Sequence, residues 1–361
     1  MRATPLELPP ALPGATLTYE AVLGRLAALD QRLVVLTAEN RAAIRNLPAV
    51  LGDRFVDVGI CEQTMVGMAA GLALRGRIPV VHALATFLTL RAFEFIRTDV
   101  GIAGLPVKLV GGVAGLLSEA NGPTHQALDD LAVMRAIPGM SIVCPADEDE
   151  LCAGLPAVLA HPGPVYLRHN ARDSGAGWRG RPLQPFELGR AEVLQTAGAG
   201  AGPAAAPSRG DAPGGIGILA LGLLVPEALR AGRLLAARGH AVSVSNLRSL
   251  VPLDAEAVLA TARAARLLVT VEDHFLTGGL YESVSELLVR HGLTGVQVLP
   301  IGFPGRFFAP GLLADVLEHE DLTPVALSAR IAAAWERLPR TGANPGPADH
   351  PRPSPEGASL G

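Results

Sequence analysis

Cysteine, aromatic side chains and surplus charge are all scarce in this chain, and each scarcity removes a class of protein. Cys61, Cys144 and Cys152 are the only cysteines, an odd number with no pair at metal-ligand spacing. A disulfide framework and a structural zinc are thereby excluded, and a reducing compartment is expected. Aromatic residues make up 4% of the chain, so helices and sheets must pack through Ala, Val and Leu. The formal charge is only −4, from 30 basic and 34 acidic residues, without a long basic run. Nucleic acid is therefore not an expected partner. No stretch of about 20 apolar residues would span a bilayer. The opening Met-Arg-Ala-Thr-Pro-Leu-Glu-Leu-Pro-Pro also lacks the apolar centre of a signal peptide. The expectation is a cytoplasmic protein with no membrane contact.

What the chain has instead is length and alternation. Its 361 residues, 49% of them hydrophobic, allow two to three domains with ample core. Residues 1–15 are proline-rich and read as a lead-in. Over 16–195, apolar strand-like runs such as Leu33-Val34-Val35-Leu36, Ile78-Pro79-Val80-Val81 and Val107-Lys108-Leu109-Val110 alternate with helical patterns at 62–75, 87–102, 126–135 and 147–160. Such alternation predicts a parallel sheet with helices on both faces. Residues 196–215 are an Ala/Gly/Pro-rich linker. A second α/β unit, 216–339, repeats the pattern, with strands at Ile216–Leu221, Ala241–Val244, Leu267–Val271 and Val296–Pro300. The tail, 340–361, reads as disordered. The fold class is therefore α/β, with two doubly wound domains.

The most informative stretch is Asp57-Val58-Gly59-Ile60-Cys61-Glu62-Gln63, which sets one carboxyl group at a strand-to-helix turn. Val58, Ile60, Met65 and Val66 should wall it, a setting that favours a hydrogen-donating carboxyl over a carboxylate. The alternative is an acidic first-turn residue held by the helix dipole. Cys61 beside it has no positioned base, so nucleophilic catalysis is not indicated. Four more segments stand at the carboxyl ends of strands, where open α/β sheets bind ligands. They are Ala85-Thr86-Phe87-Leu88-Thr89-Leu90-Arg91-Ala92, Asn121-Gly122-Pro123-Thr124-His125-Gln126, Met134-Arg135-Ala136-Ile137-Pro138-Gly139-Met140, and Tyr166-Leu167-Arg168-His169-Asn170.

With the Glu62 segment, these make the chain resemble the C-terminal half of thiamine-diphosphate-dependent transketolases, including the relatives that make deoxyxylulose phosphate. The resemblance runs from about Thr16 to Arg190 and continues through Glu272-Asp273-His274 and Gly278-Gly279. It implies a pyrimidine-binding domain followed by a transketolase C-terminal-like domain. It further implies that Glu62 hydrogen-bonds the aminopyrimidine of thiamine diphosphate and so activates the thiazolium carbon. The cofactor then serves as electron sink while a two-carbon ketol unit passes from a ketose donor to an aldehyde. Phe87 matches an aromatic that stacks on the pyrimidine, with helix-start core as its other reading. Arg91 and Ile60 would line the cofactor face, although an exposed helix arginine is equally compatible. His125 matches a substrate-facing histidine able to shuttle a proton, or else caps the Gly-Pro turn. Asn121 stands where the family usually has a sugar-binding aspartate. Arg168 matches an arginine that grips substrate phosphate, against an ordinary ion pair.

The resemblance also shows what is missing. Family members hold magnesium and diphosphate through Gly-Asp-Gly and a later asparagine; Gly52-Asp53-Arg54 does not fit, and no metal ligand is assigned in this chain. The implied arrangement is a split enzyme, active only with an N-terminal-type subunit that carries Mg²⁺ and diphosphate, in an α2β2 assembly. Val113 replaces a phosphate-binding histidine, Glu39 a serine, and Leu90 a second aromatic, while His82 stands where a small residue is common. A carboxylate such as Glu39 would repel a phosphate. The alternatives are the β subunit of a 2-oxo acid dehydrogenase, which shares both folds, and a non-catalytic scaffold subunit.

Overall fold

The computed structural model describes residues 18–175, 177–197 and 214–339. The lead-in, the tail and nearly all of the linker read from the sequence lie outside the described residues. The strands are β1 (Leu33–Thr37), β2 (Phe55–Asp57), β3 (Ile78–Leu84), β4 (Lys108–Gly112), β5 (Ser141–Val143), β6 (Val165–His169), β7 (Glu192–Gln195), β8 (Gly215–Leu221), β9 (Val242–Asn246), β10 (Ser249–Val251), β11 (Ala265–Phe275) and β12 (Gln297–Phe303). They form a seven-stranded sheet in the order β10-β5-β6-β4-β3-β1-β2 and a five-stranded sheet in the order β12-β11-β8-β9-β7. Two α/β domains result.

Within each sheet all neighbours are parallel except one edge strand, β10 in the first and β7 in the second. β1 is buried along its whole length, as a strand covered on both faces must be. One face of the first sheet packs the helices Tyr19–Leu29 and Glu148–Ala160; the other packs Glu62–Leu74 and Asp130–Arg135. Side-chain oxygens of Thr18 and Asp147 cap the helices Tyr19–Leu29 and Glu148–Ala160, taking a backbone N–H each.

The edge strands change the division between the units. Glu192–Gln195, counted with the first unit in the sequence reading, pairs with β9 in the second sheet. In return β10, from the second unit, pairs antiparallel with β5. One apolar cluster is continuous across the boundary and joins Met134, Ile142 and Cys144 to Leu219, Leu221, Leu247 and Leu250.

Two expected helices differ in detail. Over 87–102 the chain forms π-helical turns at Phe87–Arg91 and Ile96–Gly101 around a short α-turn, Phe93–Phe95. Wide turns of this kind recur at functional sites. Over 126–135 the helix starts only at Asp130, because the preceding backbone bonds elsewhere: Leu128 O accepts from Phe275 N–H and Ala127 O from Gly115 N–H.

Candidate active site

The strand-to-helix turn after β2 is fixed by one carboxylate. Asp57 accepts from the backbone N–H groups of Gly59 (3.0 Å) and Glu39 (3.2 Å) and from Arg41 Nε (2.7 Å). Gly59 turns the chain at φ +71°, a conformation that glycine adopts without strain. The helix then begins at Glu62, which is 2% exposed. Met65 and Val66 are fully buried beneath it, whereas Ile60 is 71% exposed and leaves the mouth open on that side.

The sequence predicts an apolar mouth; the structure adds a cation to it. Arg91 Nη1 donates to Glu62 Oε2 at 2.8 Å, and the same guanidinium lies 4.4 Å above the Phe87 ring. His125 approaches that ring edge-on, with centroids 5.0 Å apart and planes at 72°, while its Nδ1 lies 2.9 Å from Thr124 Oγ1. Glu62, Arg91, Phe87 and His125 thus form one chain of contacts drawn from the loops after β2, β3 and β4. Asn121 is exposed at the end of the short helical turn Leu116–Asn121.

Arg168 is held inside the protein. It is 4% exposed, and its donors are committed within the protein. Nε and Nη2 grip Asp130 at 2.8 and 2.6 Å, Nη1 reaches Asp273 Oδ1 at 3.1 Å, and Nη2 also reaches Ala127 O at 3.2 Å. A guanidinium so engaged between two carboxylates makes the ion-pair arrangement that the sequence left as the alternative to gripping a phosphate. Burial alone would raise Asp130, but the charge and hydrogen bonds of Arg168, with Tyr166, hold it below the usual carboxylate range. Burial pushes Asp273 up to about 6, with Arg168 opposing. Asp130, Asp273 and His274 were not singled out as site residues. The signal available was the pair of sequence neighbours Asp129-Asp130 and the run Glu272-Asp273-His274, whose buried acids need a cation.

His82 is packed rather than presented to a ligand. Its Nε2 lies 2.7 Å from Tyr19 Oη, and the Tyr19 ring meets both His82 and His169 edge-on. Glu39 and Val113 both adopt left-handed backbone, at φ +64° and +56°. For a β-branched residue that is an outlier, and such strain concentrates at functional sites.

Arg91 shows that a planar nitrogen group fits between the Glu62 carboxyl and the Phe87 ring face, where an aminopyrimidine ring nitrogen would instead accept a hydrogen from the protonated carboxyl. The residues present therefore fit the pyrimidine end of thiamine diphosphate. Among the described residues no group of three or more His, Cys, Asp or Glu side chains could hold a metal ion. No helix among them is long and apolar enough to cross a membrane.

Two family descriptions match the chain. The transketolase pyrimidine binding domain matches residues 15–174, and the transketolase C-terminal domain matches residues 215–327. The chain belongs to the transketolase family, a thiamine-diphosphate-dependent one. Over 308 residues it is 37% identical to the 6-deoxy-6-sulfo-D-fructose transketolase subunit SqwH of Clostridium sp. (strain MSTE9), covering 85% of this chain and 89% of that protein. It is 36% identical over 332 residues to the 1-deoxy-D-xylulose-5-phosphate synthase of Symbiobacterium thermophilum, covering 90% of this chain but 48% of the synthase. The chain thus spans about half the length of that relative. Among solved structures, a split gene transketolase in an inactive beta4 tetramer superposes with a TM-score of 0.74 at 30% identity, covering 88% of this chain and 97% of the other.

Proposed function

We propose that this chain is the pyrimidine-binding and C-terminal subunit of a two-chain transketolase, which moves a two-carbon ketol unit from a ketose-type donor to an aldehyde or related acceptor. The observation that carries the reading is the buried Glu62 carboxylate beside the Phe87 ring at the carboxyl ends of β2 and β3. Thiamine diphosphate supplies an acidic thiazolium carbon and an electron sink for the broken carbon–carbon bond. Glu62 would hold a ring nitrogen of the pyrimidine, and Phe87 would carry the ring face. Arg91, which occupies both contacts in the free chain, would move aside and line the site with Ile60. His125 and Asn121 would face the substrate, His125 holding or passing a proton at its hydroxyl groups. Arg168, which the resemblance sets against a substrate phosphate, is engaged with Asp130 and Asp273 in the free chain. A partner subunit bearing Gly-Asp-Gly would carry Mg²⁺ and the diphosphate, in an α2β2 assembly. The high coverage of the SqwH subunit and of the split gene transketolase supports a separate partner chain.

The test is to co-express the chain with Gly-Asp-Gly-bearing chains and titrate thiamine diphosphate and Mg²⁺ into each chain alone and into the pair. Tight binding and ketol transfer by the pair only, with Glu62→Ala assembling but losing at least about 100-fold in turnover, is the expected result. Tight binding to this chain alone would overturn the split-site reading. Release of CO2 from a 2-oxo acid in place of ketol transfer would move the chain to the dehydrogenase-type alternative. An assembly indifferent to Glu62→Ala would mean a scaffold.

A further inference from the structure

The buried cluster around Arg168 belongs to neither sheet alone and draws on both domains. It is built from β6 of the first unit, the end of β11 in the second, and the loop that follows His125. Asp130 opens the helix Asp130–Arg135 and is held by three donors: Arg168 Nε, Arg168 Nη2 and Tyr166 Oη, the last at 2.6 Å. Across the domain boundary the same guanidinium holds Asp273. His274, next along, accepts the Leu131 N–H at Nε2 (3.2 Å) and places Nδ1 2.6 Å from Phe275 O, which fixes its tautomer with the proton on Nδ1. Phe275 N–H donates to Leu128 O at 2.8 Å, and Gln126 Nε2 donates to Phe308 O at 2.8 Å.

Between Gln126 and Leu131, then, the loop is tied to the second domain at three places and to Arg168 at two more. The fit leaves no slack. A Cβ at Gly115, which donates to Ala127 O, would lie 1.8 Å from Asp273 Oδ2, and one at Gly278 would lie 2.2 Å from the Ala132 Cβ. His125, immediately before this stretch, is anchored by far less: its ring meets Phe87 and Thr124, and its backbone N–H reaches Gly122 O.

We infer that Arg168, Asp130, Asp273 and His274 are positioning residues, an inter-domain strut that sets where His125 stands against Phe87 and makes the second domain part of the active-site geometry. What His125 does for the reaction rests on the proposed function; how it is held does not. The guanidinium suits this role because its planar fork grips Asp130 at two points while also reaching Asp273 and Ala127 O, more bonds than the three N–H groups of an ammonium can make. The strut also explains why the second domain, which contributes no side chain to the Glu62 cluster, is joined so tightly to the loop beside it.

The decisive measurement needs no cofactor. In the full chain, the His125 ring carbon-bound protons should be displaced by the Phe87 ring current, and Phe87→Leu identifies that displacement by removing it. Asp273→Asn removes one anchoring charge while preserving shape, and Arg168→Lys preserves the charge while removing the fork. In whichever variant retains the wild-type fold, the strut predicts that the His125 resonances lose most of that displacement or broaden. Unchanged His125 resonances in a folded variant overturn it. In the assembled enzyme, Asp273→Asn should lower kcat about tenfold with His125 present and have no further effect in the His125→Ala background. Equal losses in both backgrounds would show that the cluster does not act through His125. An assembly with no ketol transfer at all would reject the proposed function, while the resonance measurement would still decide the strut.

Discussion

At the scale of single residues, the site turns on one carboxylate and its cation. Glu62 is 2% exposed, and the cost of burying a charge is met by Arg91, whose side chain remains 39% exposed. Removing one member of a buried pair strands the other, at a cost of about 3–5 kcal/mol when both are enclosed. With Arg91 partly in water the loss should lie nearer about 1 kcal/mol. Arg91→Met should therefore lower the Tm of the chain, and adding Glu62→Gln to it should recover most of the loss, because the amide carries no charge to strand. Thermal melts of the four species close this cycle. If the double variant is as unstable as the sum of the singles, Arg91 contributes through packing on Phe87 and not through Glu62. The sequence placed Glu62 and Phe87 just after apolar strand runs, where the structure also has them, whereas His125, well beyond the end of β4, was picked out by family resemblance alone. The surroundings of Arg168 were hidden for a physical reason. Its segment gave its place at the end of β6, but not the two carboxylates that meet it there, one of them 105 residues further on.

At the scale of elements, the long buried strands were legible, while the short edge strands and the loops were not. Runs such as Leu33–Leu36 and Pro79–Val81 are buried on both faces, and continuous apolar residues admit few other readings. The late start of the helix at Asp130 was hidden because its preceding carbonyls are taken by Phe275 N–H and Gly115 N–H, partners distant in the chain. Short β7 and β10 escaped for the same reason, since an edge strand of three or four residues carries too little pattern to be told from a loop. β3 offers a test of another kind. It carries His82 into the core against Tyr19, and burial lowers His82 to about 3; β6 carries His169, lowered by burial to about 4. Both rings are held neutral when folded, whereas each takes up a proton near pH 6.5 once unfolded. The unfolded chain therefore binds more protons below that pH. Stability should be intact from this source above about pH 6.5 and decline as pH falls towards 4, by up to about 1.4 kcal/mol per pH unit for each ring. His82→Gln should flatten the acid limb of a Tm-against-pH curve relative to the parent chain, while the values converge on a constant offset above pH 7. Parallel curves across the whole range would mean that His82 titrates normally in the fold.

At the scale of the molecule, the two domains are joined by more than a chain crossing. Arg248, 1% exposed, stands beside β10, where the second unit's backbone enters the first sheet. Its Nε donates to Glu150 Oε1 at 2.8 Å, Nη2 lies 3.2 Å from Glu192 Oε2, and Nη1 and Nη2 reach the carbonyls of Pro185 and Gln184. Glu150 receives further N–H groups from Ala146 and from Asn246 of β9. Burial nonetheless leaves Glu150 raised above its ordinary value, so the carboxylate depends on Arg248 for its charge. Arg248→Met would leave Glu150 without its buried cation, and Glu192 with only Arg179 and Arg181 at 3.6 Å, a loss of about 3–5 kcal/mol. Because Glu150 belongs to a helix of the first unit and Asn246 to a strand of the second, this loss falls on the boundary itself. With the boundary intact, the shared core from Ile142 to Leu250 should make the two domains melt together in one calorimetric transition, and Arg248→Met should split it into two. One lowered but still single transition would show that apolar contact alone couples the units. Two transitions already in the parent chain would show that they unfold independently, and a second domain that comes away on its own could not hold the loop behind His125.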